Sequence, residues 1–176
     1  MLSEVSHETA TGLSTTPRLP WRDLYDALAG EILGYLWRLT QDREVAMDLM
    51  QEAFLIAMRD ERQLRDPDKA RPWLYRIATR LAVRRLQRGR FIRFLPFTGR
   101  ETSDAGTPDI ERIAVREALR MLSPEQATAV VLHYAHGFTR AEIADITGRS
   151  EETIKSRIAR GKRAFLSAYG RNGGTR

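Results

Sequence analysis

Apolar residues return every three or four positions wherever this chain shows a pattern, and no segment alternates with period two. That spacing builds one-sided helices and leaves no place for a half-buried strand. From Trp21 onward, Leu24, Leu28, Ile32, Tyr35, Leu36 and Leu39 form one stripe. A second helix from about Asp42 to Arg59 turns Val45, Ala46, Leu49, Ala53 and Ala57 inward. Met47, Met50 and Met58 share helical spacing and read as core. Asp60–Ala70 is polar, contains Pro67 and reads as a loop. Pro72 suits the first turn of a third helix, where its missing N–H costs little. That helix runs through Trp73, Ile77, Ala78 and Leu81 to about Arg88, with Gly89 as its expected stop.

Composition then shifts. Residues 98–108 (TGRETSDAGTP) are rich in Gly, Ser, Thr and Pro without periodicity, as an interdomain linker is. A short helix at about 109–121 follows. Ser123-Pro124-Glu125-Gln126 is a strong helix start, with Ser at the N-cap, Pro first in the helix and Gln closing a capping box. Thr139-Arg140-Ala141-Glu142 is a second capping box, and Ser150 with Glu151 and Glu152 opens another helix. The expected architecture is all-α: two small helical domains, 21–97 and 109–170, joined by a flexible linker at 98–108. Residues 1–20 and 171–176 read as tails, the first disordered.

Several classes of function fall away. The chain has no cysteine, which excludes a disulfide framework, a thiolate zinc site and a catalytic thiol. It has no run of 18 apolar residues to cross a membrane and no basic, apolar secretory leader, so a cytoplasmic location is expected. His133 and His136 stand three apart on a helix with no further ligand in register, so they read as surface or core positions. No phosphate loop, nucleophile elbow or triad appears. No cofactor, metal or catalysis is expected.

Charge is segregated far beyond the formal net of +6. From Lys69 to Arg100 there are ten basic residues and no acid; from Thr153 to Arg176 there are seven and again no acid. The rest of the chain is net acidic. Two basic blocks in an acidic background fit a polyanion gripped at two places better than two solvated helix faces.

The second block overlaps the most specific local pattern, Phe138–Ile158 (FTRAEIADITGRSEETIKSRI). A helix-turn-helix needs a small residue where its helices touch, glycine in the turn and a branched apolar residue to seat the second helix. Ala144, Gly148 and Ile154 stand at that spacing, with Ile143 and Ile158 completing the core; a plain antiparallel helix pair is the bland alternative. The second helix of such a unit enters the major groove with its N-terminal residues at base edges. This directs Ser150, Glu152, Thr153, Lys155 and Ser156 toward bases, and Arg149, Arg157, Arg160 and Lys162 toward bases or phosphates.

In the N-terminal half, Asp48, Gln51, Glu52 and Leu55 share one exposed helix face. No His or further acid completes a metal or acid–base site there. A solvated face and a docking face for a basic partner helix both remain open. At these residues the chain resembles the extracytoplasmic-function (group IV) sigma factors of bacterial RNA polymerase. DLMQEAF at 48–54 followed by WLYRIA at 73–78 is similar to their region two. Leu122–Phe165, with SPEQ and EIADITGRSEETIKSRIARGK, is similar to their region four. The resemblance spans about 21–90 and 109–168.

It implies that Asp48, Gln51, Glu52 and Leu55 dock on the clamp coiled coil of core polymerase. It implies that the loop Glu61–Ala70, including Arg65 and Lys69, works with Arg76, Arg80, Arg84 and Arg88 to read and melt the −10 element. Trp73 and Tyr75 are candidate stacking platforms by type, although Trp73 shares a face with Ile77 and Leu81. The 149–160 helix becomes the −35 reader, and an anti-sigma factor becomes an expected partner beside core polymerase and promoter DNA. Two places depart from the family pattern: Arg80 and Arg84 stand where Asn and Asp are usual, which puts the −10 preference in doubt. The apolar segment 91–97 is unusual for a linker and reads as a helix extension or a docking patch. A stand-alone helix-turn-helix regulator shares the 138–165 pattern but leaves DLMQEAF and the first basic block without a role.

Overall fold

Helix α1 (Trp21–Thr40) buries Leu28, Ile32, Tyr35, Leu36 and Leu39 on one face, as the stripe requires. The computed structural model describes residues 21–64, 66–92 and 110–171. The expected tail at 1–20, Arg65, most of the apolar segment 91–97, the linker and residues 172–176 lie outside the described residues. α1 ends at Gln41, a non-glycine residue with φ of 59°. Its side-chain amide donates to the Arg38 carbonyl at 2.6 Å, a local bond that offsets part of the left-handed cost. Asp42 then caps α2 (Arg43–Arg59) by accepting the Val45 N–H at 3.1 Å.

α2 buries Ala46, Leu49, Met50, Ala53, Phe54 and Ala57. Met47 and Met58, expected in the core, are instead 40% and 51% exposed. Each sits one position off this inner stripe, and one residue turns a helix by about 100°. Two 3₁₀ turns, Glu61–Gln63 and Pro67–Lys69, fill the polar loop. α3 (Ala70–Ile92) begins just before Pro72 and continues through Gly89. Glycine stops a helix by taking positive φ; a Gly that stays helical costs only about 1 kcal/mol against alanine. α3 lies against both α1 and α2, closing the first bundle with Leu74, Tyr75, Ile77, Ala78 and Ala82.

The second unit contains α4 (Ile110–Arg120), α5 (Pro124–Tyr134), α6 (Arg140–Thr147) and α7 (Glu151–Arg171). Both capping boxes form. The Gln126 N–H donates to Ser123 Oγ at 3.2 Å while the Ser123 N–H donates to Gln126 Oε1 at 3.1 Å. Thr139 and Glu142 repeat the exchange at 3.2 and 2.8 Å. Gly148, at φ 64°, ends α6 with its N–H on the Ala144 carbonyl, and Arg149 donates to the same oxygen. α5 and α7 cross closely at Gly161, where an added Cβ would stand 2.7 Å from Val130 Cγ2. Among the described residues there is no strand, and the core is helical throughout.

The two units also touch. α3 packs on α5 and α6, and α1 on α4 and α5. The Tyr35 and Tyr75 rings, both fully buried, lie 5.1 Å apart, and His136 from the second unit sits edge-on to Tyr35 and tilted over Tyr75. His136 Nδ1 is 2.8 Å from the Tyr75 hydroxyl, which lies 3.4 Å from Glu31 Oε2. His136 Nε2 is buried without a partner among the described residues. The tautomer that suits all three groups carries its proton on Nδ1, donating to Tyr75, which in turn donates to Glu31. Arg71 donates to Glu31 at 3.0 Å and to the His136 carbonyl at 3.2 Å, and it lies over the Phe138 ring at 4.4 Å. Farther out, Gln87 donates to Glu125 at 3.0 Å, and Arg116 donates to Gln41 Oε1 at 3.1 Å while lying over Trp37.

Two measurements test this packing. Gly161→Val should destabilise the second unit by about 1–3 kcal/mol through overpacking against stiff Val130. Gly170→Val, with no described atom within 4 Å of its Cβ position, should cost clearly less in the same urea titration. The second concerns pH. Burial first, then the Arg38 and Arg71 charges, push His136 down to about 4 from 6.5, against the opposing pull of Glu31; Tyr35 and Tyr75 also face it. The closed contact therefore binds fewer protons than the separated units. Its stability from His136 is complete above about pH 6.5 and declines as pH falls toward 4. Closure followed by resonance energy transfer between labels on the two units should weaken over that window, and the His136→Phe variant should lose this part of the dependence.

Candidate nucleic-acid and polymerase interfaces

The α2 surface turned away from the core carries Asp48, Gln51, Glu52 and Leu55, all exposed, with Leu55 at 67%. The burial of Leu49, Met50, Ala53 and Phe54 leaves these four nowhere else to point. Among the described residues, neither Asp48 nor Glu52 makes an ion pair. Exposed Met58 extends the same face, at a position three beyond Leu55 that sequence reading assigned to the core. The face is thus a mixed acidic and apolar strip, with uncommitted carboxylates beside bare methylene and thioether surface. Such a strip suits a partner helix that brings both cations and apolar side chains.

The first basic block lies along α3 and the loop before it. Arg76, Arg80, Arg84 and Arg88 are exposed at four-residue steps, one turn apart. None forms an ion pair with another described residue. Lys69 is exposed on the second 3₁₀ turn. Trp73 is half-buried: its ring rests on the core and also walls a pocket of about 140 Å³ with Ile56, Asp60, Gln63, Arg76, Ile77, Arg80 and Leu81. Two arginines, an indole and short polar groups around such a volume suit a planar polar heterocycle extruded from its stack. Ile56 and Asp60 went unnoticed in the sequence, and Gln63 stood only within the loop Glu61–Ala70, because only the fold brings α2 and its following turn over α3. Tyr75 is buried in the inter-unit contact and is no stacking platform in this conformation.

The second basic block starts α7. Ile154 and Ile158 are buried, which rolls Glu152, Lys155 and Arg160 outward with Arg149 and Ser150 before them. Ser150 caps the helix: its Oγ accepts the Thr153 N–H at 3.3 Å and lies 2.9 Å from Thr153 Oγ1. Ser150 and Thr153 are therefore partly committed to the helix start. Lys155 reaches Glu152 at 3.4 Å, an exposed pair that a phosphate could exchange at small cost. Ser156 and Arg157 are half-buried, and Lys162 lies 5.9 Å from the Tyr134 ring. Glu142 in α6 is held below its ordinary range first by the Thr139 backbone N–H, then by its hydroxyl. The exposed first turn of α7, carried on the buried Ile143, Ala144 and Ile154 contact, has the geometry of a major-groove reader.

Among the described residues no cluster of His, Asp or Glu could hold a metal ion. No described helix is long and apolar enough to cross a membrane. Comparison with known proteins identifies the family. Residues 24–92 match the family model described as Sigma-70 region 2, and residues 112–165 match Sigma-70, region 4. The chain is 32% identical over 151 residues to the ECF RNA polymerase sigma factor SigL of Mycobacterium tuberculosis, covering 82% of this chain and 85% of that protein. It is 35% identical over 137 residues to SigM of the same organism, covering 77% and 70%. A likeness to the sigma factor RpoE of Bartonella quintana, solved with the anti-sigma factor NepR, has a TM-score of 0.67 at 22% identity over 84% of this chain and 95% of that one, and speaks for the fold. The chain belongs to the extracytoplasmic-function sigma factors, the bacterial RNA polymerase subunits that recognise −10 and −35 promoter elements and open the duplex for initiation.

Proposed function

We propose that this sigma factor divides its work among three surfaces. The α2 strip of Asp48, Gln51, Glu52 and Leu55 docks core polymerase. The α3 stripe of Arg76, Arg80, Arg84 and Arg88, with Arg65 and Lys69 in the preceding loop, holds the −10 strand, and the Trp73–Arg76–Arg80 pocket receives a flipped base. The first turns of α7, from Arg149 through Ser150, Glu152, Thr153, Lys155, Ser156, Arg157 and Arg160, read the −35 duplex. The observation that carries this division is two basic surfaces, that on α3 without an ion pair among the described residues and that on α7 with only the exposed Lys155–Glu152 pair, and an acidic strip on α2, on separate helices of one chain. The arginines at 80 and 84 add cationic grip where the family pattern has amide and acid. The −10 preference is thereby shifted toward contacts with the phosphate backbone.

The chain performs no catalysis itself, acts in the cytoplasm, and is restrained by an anti-sigma factor that covers its DNA-reading surfaces. A stand-alone regulator reading the same helix-turn-helix would leave the α2 strip without purpose.

Run-off transcription with purified core enzyme is the direct test: the chain should confer promoter-specific initiation, and failure to do so would overturn the reading. Asp48→Ala combined with Glu52→Ala should weaken core binding by about tenfold or more while leaving the melting temperature within a degree or two, because both side chains are exposed. Separately, neutralising Arg157 and Arg160 should reduce the slope of log affinity against log salt for −35 duplex by roughly 0.9 for each phosphate the variant no longer neutralises. An unchanged slope would assign that block to solvent.

A further inference from the structure

The pocket of about 140 Å³ between α2 and α3 has two chemically different walls. Ile56 of α2, its C-cap Asp60 and Gln63 of the following turn form one; Trp73, Arg76 and Arg80 of α3 form the other. A carboxylate thus stands on one wall and the cations on the other. Asp60 and Arg80 line this pocket and not the larger cleft of about 620 Å³ beside it, whereas Gln63, Trp73 and Arg76 border both. Arg84 and Arg88, farther along α3, line neither and are left for the phosphates of a strand. Arg80 is the cation dedicated to what the pocket holds.

The wall that carries Asp60 is set before any ligand arrives. Trp21, at the start of α1, donates its indole N–H to Glu61 at 2.9 Å, and the Gln63 N–H donates to the Asp60 carbonyl at 2.8 Å. The turn is thereby tied to α1 and to itself. Arg59, whose side chain is 73% exposed, holds the two Asp60 carboxylate oxygens at 3.0 and 3.5 Å. A carboxylate has about four lone-pair sites, so acceptor capacity remains for a ligand.

Base chemistry then discriminates. A flipped base is read along its Watson–Crick edge. Guanine alone sets two N–H donors side by side there, N1–H and the 2-amino group, and two acceptors, O6 and N7, side by side on the adjoining edge. A carboxylate takes the first pair in a forked bond, and a guanidinium takes the second. Adenine and cytosine offer a carboxylate one amino group. Thymine offers one imide N–H between two carbonyl oxygens, which a carboxylate repels.

We propose that this pocket selects guanine in the unpaired −10 strand, with Asp60 accepting from N1–H and the 2-amino group, Arg80 donating to O6 and N7, and the Trp73 indole beside the base. This rests on the assignment of α3 to the −10 strand made above and adds to it the identity of one base. Trp21 is a positioning residue that acts through Glu61.

The test starts from core polymerase, the full chain and promoters randomised over the −10 element. Members with guanine at one position should yield about tenfold more transcript than members with any other base there. Binding of the selected −10 sequence, as a single strand, to the chain–core complex then isolates the base from duplex opening. Hypoxanthine in place of that guanine lacks the 2-amino group, and 7-deazaguanine lacks the N7 acceptor; each should weaken binding to the wild-type chain by about tenfold. Asp60→Ala should become indifferent to hypoxanthine while still losing affinity for 7-deazaguanine. Arg80→Lys, which keeps the charge and gives up the fork, should show the reverse. Transcripts without a guanine preference would overturn the selectivity and leave the three-surface reading standing. A preference whose sensitivity to both analogues survives in both variants would place the reader elsewhere and overturn the proposal. No transcript from any promoter would overturn the three-surface reading itself, and this inference with it.

Discussion

The buried pair Tyr35 and Tyr75 is the join on which the molecule is assembled. Tyr35 donates to or accepts from Thr79 at 2.7 Å, so one ring ties α1 to α3 by a hydrogen bond inside the core. Burial raises the pKa of both phenols, so each stays protonated at neutral pH and can satisfy a neighbour without placing a charge in the interior. Tyr75 spends its hydroxyl outward, on Glu31 and His136. The first bundle thereby ends in a polar socket on an aromatic floor, and the second unit supplies His136 and Phe138 to fill it. One hydrophobic core runs through both units, and this socket is its polar, aromatic seam.

α3 shows how little helix surface is left idle. Leu74, Ile77, Ala78 and Ala82 face the first bundle, Arg76, Arg80, Arg84 and Arg88 face solvent, and Arg71 and Tyr75 face the second unit. Three sectors of one cylinder serve packing, charge and closure. A helix of this length can do so because residues three or four apart stack on one face while their neighbours in sequence point elsewhere. α2 divides more simply, with alanine and phenylalanine inside and acids, glutamine, leucine and methionine outside.

Local signals carried much of this into the sequence. Capping boxes at Ser123 and Thr139 depend on side chains bonding backbone three residues away, so they are readable from four letters, and both formed. Gly148 was legible because the turn demands positive φ. The exposed set on α2 followed from its spacing. What could not be read was pairing across the chain. His133 and His136 were expected on a surface or in a core; one ring nitrogen of His133 lies 2.9 Å from the Phe138 carbonyl, and His136 stands between two units. No periodicity announces a contact between residues 75 and 136. Gly89 misled for a related reason: glycine permits a stop without compelling one, and α3 passes through it. Met47, Met50 and Met58 do share helical spacing, but only Met50 falls on the buried stripe, and a single step around the helix puts Met47 and Met58 outside.

The close crossing at Gly161 has a mechanical consequence. α5 and α7 meet there with no side chain between backbone and Val130, so they must turn as one piece. Gly161 lies about 15 Å along α7 from its first turn at 1.5 Å per residue. A tilt of about 10° at this fulcrum would carry the first turn through roughly 2.5 Å, nearly the length of a hydrogen bond. The direction of the α7 tip is thus set by a crossing well behind it, and a methyl group added at the pivot would re-aim the tip.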